Sequence, residues 1–279
     1  MVNLKKEFDV YQEKLLGNKI STMNEFKNEI IISKKFIGFQ IWLNNLTADI
    51  VNSSEIVKEK KHEKEIKQFA LAMNIFVLNF KRLYNTLEMI YTDSAQSNYN
   101  LFRLIFESIL FSFYLSTHPN ETEEILKFFN ERFSEMDNPK KRKNDCTPEE
   151  LIIRNRFEKY SPTKIRESLY VNAKRKSTKK IYDILSTQSH VGIETINGHH
   201  FQYSKNRVKD FFWYEKYLSF YNILAFLDNL PKIQNITNKI INGETTQILD
   251  EFKNTLSENN EISDLFPNHP NVKKSRFLS

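Results

Sequence analysis

Along most of this chain apolar residues recur every three or four positions, the period of helices that bury one face. Residues 4–16 read as a short amphipathic helix stopped by Gly17-Asn18, a usual helix end. A long helix is expected over 23–51, with Phe26, Ile30, Ile37 and Ile41 on its apolar stripe. Ser53-Ser54 then opens a helix that is charged over 58–67 and apolar over 69–90, so its first half should project into solvent and its second enter the core. Residues 95–116 read as the central helix, almost wholly apolar over 101–115, followed by His118-Pro119. Asn120, with Glu123 three positions on, is placed to cap a helix running to about residue 136.

The second half follows the same grammar. A basic loop with Pro139 covers 137–145. Thr147-Pro148-Glu149-Glu150 carries a complete start signal: Thr as cap, Pro at the first helical position, Glu at the third. Ser161-Pro162 restarts a helix towards Lys174, and another spans 177–189. Residues 193–203 alternate around Asn197-Gly198, a dipeptide favoured in tight turns, and predict a small β-hairpin. A long aromatic helix over 208–230 is stopped by Pro231, and two shorter helices follow at 232–241 and 245–256. The expectation is an all-α, multi-helix bundle with one β-hairpin insertion near 193–203. It is a single domain over 1–258, comprising N-terminal helices 1–90, core helices 95–230 and C-terminal helices 232–258. A loosely ordered tail follows over 259–279.

Composition narrows the class. Five Gly and seven Pro beside 23 Phe and 12 Tyr in 279 residues exclude a disordered or turn-rich all-β chain. The abundance of Lys, Asn, Ile and Phe points to an AT-rich, bacterial coding genome. Cys146 is the single cysteine, so no internal disulfide forms, which fits a reducing compartment. The charged start Met1–Glu7 has no apolar run behind it and is not a signal peptide. The two most apolar stretches, 99–116 and 211–230, carry Arg103 with Glu107 and Glu215, Lys216 with Asp228. A membrane span needs about 20 mostly uncharged residues, so both read as core helices, and the expected location is the cytoplasm.

Charge is unevenly placed. Residues 138–180 hold 14 Lys and Arg against five acids, a local +9, whereas the whole chain carries +6 and the remainder therefore −3. Such a segment suits an anionic partner. Lys140, Lys141, Arg142, Lys143, Arg154, Arg156, Arg175 and Lys176 are the candidates for tracking a phosphate backbone. The plainer alternative is a set of solvated helix faces.

Two motifs carry the candidate chemistry. Arg103 and Glu107, four apart within an apolar helix, share one face, and a buried charge there needs a partner. Tyr182, Ser186 and His190, each four apart, form a polar stripe beside the apolar stripe of Ile181 and Leu185. A histidine near an acid such as Glu107 is the usual equipment of general acid–base chemistry. The same residues would equally serve as a structural lock between two core helices, and both readings stand at this level. His190, Glu194, His199 and His200 lie close in sequence but match no established metal motif, so neither metal nor cofactor is expected.

The pairing of an Arg-x-x-x-Glu helix with a later Tyr-x-x-Leu-Ser-x-x-x-His helix, over about 102–192, resembles an uncharacterised all-α prokaryotic domain family. That family lies distantly near HEPN-type proteins of toxin–antitoxin and phage-defence systems. The chain departs from HEPN ribonucleases in that no arginine is followed by a histidine within six residues. The resemblance implies an intracellular helical bundle directed at RNA or other nucleic acid, with metal-independent ribonuclease activity in bacterial defence. In that reading His190 is the acid–base group, Arg103 stabilises the phosphate, Glu107 and Tyr182 orient it, and Ser186 supplies a hydrogen bond. The alternative from another class is a non-catalytic interaction or sensor module. It would dock a protein partner or a second copy through the aromatic helix 208–230 and the charged helix 54–67.

Overall fold

The computed structural model describes residues 23–53, 60–89, 95–133, 146–169, 182–186, 205–231 and 233–257, together with Glu13. Every element among these residues is helical. In chain order they are α1 (Lys27–Ser53), a 3-10 turn (Lys60–His62), α2 (Glu63–Met89), α3 (Ala95–Thr117), a second 3-10 turn (Pro119–Glu121) and α4 (Thr122–Phe133). They continue with α5 (Pro148–Lys159), α6 (Pro162–Leu169), the helical segment 182–186, α7 (Lys205–Asp228), α8 (Gln234–Ile240) and α9 (Gly243–Ser257). The all-α expectation is met. The β-hairpin expected at 193–203, the helix at 4–16, the loop at 137–145 and the tail at 259–279 lie outside the described residues.

Most helix starts follow the sequence signals. At α5 the Thr147 hydroxyl accepts from the Glu150 amide at 3.2 Å while the Glu150 carboxylate accepts from the Thr147 amide at 2.8 Å, closing the capping box. Three expectations shift. Asn120 does not cap α4: it sits inside the 3-10 turn, and the Thr122 hydroxyl instead donates back to the Pro119 carbonyl at 2.7 Å. Proline at 119 sets a tight turn first, and the α-helix begins after it. α9 begins at Gly243, two residues before the start expected at 245. Ile41 is 43% exposed, because its neighbours Phe36, Ile37, Gln40 and Leu43 define the buried face of α1.

α7 is the axle of the bundle. It packs against α1, α2, α3 and α9, and α2 in turn packs against α1 and α3. From Phe211 to Leu227 its side chains are buried on every side, with Lys216 the half-buried exception, as a helix apolar all round must be. Phe226 stacks on Phe76 of α2 at 4.3 Å, and Phe211 and Tyr214 meet Phe102 of α3 at 5.2 and 5.8 Å. The charged start of α2 projects outward as expected, with Glu63, Lys64 and Glu65 exposed. No described helix is long and apolar enough to cross a membrane.

Two amide clasps fix α7 against its neighbours. Asn222 donates to Gln40 Oε1 of α1 at 2.8 Å and to the Phe76 carbonyl of α2 at 3.2 Å, and accepts from Asn79 Nδ2 at 3.0 Å. Two turns on, Asn229 donates to the Ser112 and Ala225 carbonyls at 2.8 Å each and accepts from Gln68 Nε2 at 3.1 Å. All of these groups except Gln68 are fully buried, so each bond replaces one otherwise made to water. Glu215, on the α1 side of α7, is less well served. The Ser219 hydroxyl donates to Oε1 at 3.3 Å, Ser33 faces the carboxyl without completing a hydrogen bond, and Oε2 has no partner. Burial pushes its pKa up to about 7, the serines and nearby Lys216 offsetting only part of that.

Asn222→Ala leaves the amide groups of Gln40 and Asn79 and the Phe76 carbonyl short of partners, and should cost about 2–4 kcal/mol of unfolding free energy in urea titration. Glu215 ionises in the unfolded chain near the ordinary glutamate value of 4.5 but stays neutral in the fold up to about 7. Its contribution is therefore intact below the lower value and lost as pH rises through the upper one. Glu215→Gln should gain stability relative to the wild type across that window, by roughly 3 kcal/mol at pH 8. Equal pH profiles for the two proteins would show that Glu215 is already charged at neutral pH.

Candidate functional site

α3 supplies the first two site residues. Arg103 and Glu107 lie one turn apart, and Arg103 Nε donates to Glu107 Oε1 at 3.0 Å, with 26% and 11% of the side chains exposed. The flanking Phe102, Ile105 and Phe106 are fully buried, which anchors this turn and points the ion pair to its half-buried edge. The segment 182–186 is held by Leu185, also fully buried. It brings Tyr182 to α3, where Arg103 Nη2 donates to the phenol oxygen at 3.1 Å. This contact joins residues 79 positions apart in the chain. Burial works against the Arg103 charge, but the bond to Glu107 and the contacts with Tyr182 outweigh it and raise its pKa above the ordinary value.

Ser186 is half-buried one turn after Tyr182. His190 lies outside the described residues, as do Lys140, Lys141, Arg142, Lys143, Arg175 and Lys176, and likewise Glu194, His199 and His200. Among the described residues no three potential metal ligands come together.

The structure adds a residue to the site. Arg166 of α6 places its guanidinium 5.5 Å from the Tyr182 ring centroid, against 5.3 Å for Arg103, so one phenol ring lies against two cations. Arg166 is only 8% exposed and its Nη1 is buried without a hydrogen-bond partner. The spacing of Pro162, Ile165, Arg166 and Leu169 is that of one helix face, and Ile165 and Leu169 are buried too. That spacing was the available signal, hidden because Arg166 reads as one more charge in a basic segment.

The other described cations of that segment have carboxylate partners. Arg154 Nε meets Glu158 at 3.2 Å, Arg156 Nε meets Glu124 of α4 at 3.1 Å, Lys159 meets Glu121 at 2.9 Å and Lys164 meets Glu167 at 2.9 Å. The Arg156 pair, with the arginine side chain 12% exposed, ties α5 to α4. Glu121 also accepts from the Tyr114 and Tyr160 hydroxyls at 2.9 and 3.0 Å. Burial alone would raise its pKa, but Lys159 and the two phenols hold it below the ordinary carboxylate range.

Beside the Arg103–Glu107 pair runs a groove of about 240 Å³ whose walls include Arg82, Leu104, Glu107, Ser108, Phe129 and Pro162. Arg82 reaches Ser108 Oγ at 3.4 Å. Glu107 is one turn from Arg103, and Pro162 one turn from Arg166, so the groove adjoins both arginines in sequence along their helices. Arg82 and Glu107 are the charged groups of the groove wall among the described residues.

Glu107→Gln removes the counter-charge of a partly buried guanidinium and should cost roughly 1–3 kcal/mol of stability, less than a fully buried pair would. A double-mutant cycle of Arg103→Met and Tyr182→Phe should give a coupling energy of about 0.5–1.5 kcal/mol by chemical denaturation. A coupling of zero would mean that the Arg103–Tyr182 bond adds nothing in solution.

Comparison of the chain with protein-family models, with curated proteins and with solved structures returns no match. Functional inference rests on the chemistry of the site itself.

Proposed function

We propose that this chain acts on nucleic acid, as an RNA-cleaving effector of bacterial phage defence or of a toxin–antitoxin system that needs no metal. The observation that carries the reading is the Arg103 guanidinium joined at once to Glu107 and to Tyr182, a residue that follows in sequence a segment with a local charge of +9. A guanidinium oriented from two sides is pre-arranged for a phosphate and for the charge that develops on it during cleavage. In the proposed reaction the RNA's own 2′-hydroxyl attacks the adjacent phosphorus. His190 takes the hydroxyl proton and returns it to the departing 5′-oxygen, leaving a 2′,3′-cyclic phosphate and a 5′-hydroxyl. Arg103 balances the phosphorane charge, Glu107 and Tyr182 hold Arg103 in place, and Ser186 offers a hydrogen bond. Lys140–Lys143, Arg175 and Lys176 extend the contact along the backbone, independent of sequence and weakened by salt, whereas Arg154 and Arg156 are held by Glu158 and Glu124.

One observation favours a second reading, a non-catalytic interaction module: Arg103 already has a carboxylate and a phenol, so the network is internally satisfied as a lock between α3 and the segment 182–186. Incubation of the purified chain with labelled RNA separates the two. Cleavage in EDTA, with cyclic-phosphate ends and loss in folded His190→Ala and Arg103→Ala, is the expected result. No cleavage, with an Arg103→Ala protein that melts well below the wild type, would replace it with the lock.

A further inference from the structure

We propose that Arg166 is the principal phosphate-binding residue of this site, contributing the cation whose charge an incoming phosphate group balances. The nucleic-acid reading is needed only for the phosphate to belong to RNA, since the argument for the anion itself is independent of it.

Of the five described cations between 146 and 169, Arg154, Arg156, Lys159 and Lys164 each meet a carboxylate within 3.2 Å, and Arg166 meets none among the described residues. Arg166 is also the most buried of the five, at 8% exposure. A guanidinium cannot shed its proton to escape burial, and an unpaired buried charge is costly. The Tyr182 ring at 5.5 Å offsets part of that cost through its negative face, but it cannot accept the buried Nη1 proton in the plane of the guanidinium.

Geometry selects the ligand. The Arg103 guanidinium lies against the same ring at 5.3 Å, so an anion reaching Arg166 also enters the field of Arg103. A carboxylate is filled by one arginine fork, whereas a phosphate has oxygens to spare for a second cation. Arg103 is already committed to Glu107 at 3.0 Å, which makes it the positioning partner and leaves direct binding to Arg166. Pro162 of the groove wall sits one turn before Arg166 on α6, on the same helix face, so the groove is the nearest described opening along that helix.

The test compares the full-length wild type with Arg166→Met, which keeps bulk and removes charge, and with Arg166→Lys, which keeps charge and removes the fork. Each is titrated with sodium phosphate and, separately, with a short single-stranded RNA at constant ionic strength, reading affinity and melting temperature. Phosphate should raise the wild-type melting temperature. Arg166→Met should bind phosphate about tenfold or more weakly, yet melt at or above the wild type in phosphate-free buffer. Arg166→Lys should fall between the two, and decides the matter if the methionine variant does not fold. Phosphate affinity unchanged in both variants would overturn the proposal. So would an Arg166→Met protein that melts early without phosphate and keeps the full phosphate response. RNA bound equally by wild type and Arg166→Met, with phosphate affinity lost in the variant, would uphold the anion site and place the RNA contact elsewhere on the chain. Arg166-dependent phosphate binding with no RNA binding would uphold it and remove the nucleic-acid reading.

Discussion

Asn222 is the point on which the packing of this bundle turns. Aromatic contacts between α7 and its neighbours are strong but adaptable, since a ring tolerates several tilts and offsets at little cost. An amide with its donors aimed at Gln40 and the Phe76 carbonyl, and its oxygen at Asn79, has no such latitude. Sliding α7 by one turn would strip several buried groups of their bonds at once, at about 1–3 kcal/mol each. Apolar burial therefore drives α1, α2, α3 and α7 together, while the Asn222 and Asn229 clasps choose one arrangement among those the rings would accept.

The same desolvation cost sorts the charges of the interior. Glu215 escapes it by staying neutral, because a carboxyl raised to about 7 needs no counterion at moderate pH. Arg103 escapes it by pairing with Glu107 at a half-exposed edge. Neither route is taken by Arg166, which is buried and has no carboxylate partner among the described residues. The contrast among these three groups sets Arg166 apart: the first two have a neutral form or a counter-charge in the described structure, and the third has a tyrosine ring.

Much of the fold was legible because its signals are local. The Thr147 capping box needs only four consecutive residues, and it forms as read. Pro231 and the largely apolar, aromatic stretch before it announced α7, since a helix buried on all sides shows no exposed polar face. Asn120 misled because its cap depends on which turn Pro119 initiates, and Ile41 because a wide apolar stripe does not say which of its edges is covered. In the site, the sequence pattern brought Arg103, Glu107 and Tyr182 forward correctly as polar groups on core helices. It could not show that Arg103 bonds to Tyr182, a contact across 79 positions.

By itself the sequence determined the helical class, the position of most helices and the fact that polar groups lie on apolar faces. Those properties follow from hydrophobic period and from caps whose atoms are within a turn of each other. Only the tertiary structure decided which charges are compensated. Arg154, Arg156, Lys159, Lys164 and Arg166 look alike along the chain, yet four find carboxylates and one stacks on Tyr182. Ion pairing depends on distances between side chains from different helices, and those distances exist only once the amide clasps and the aromatic core have set the helices in place.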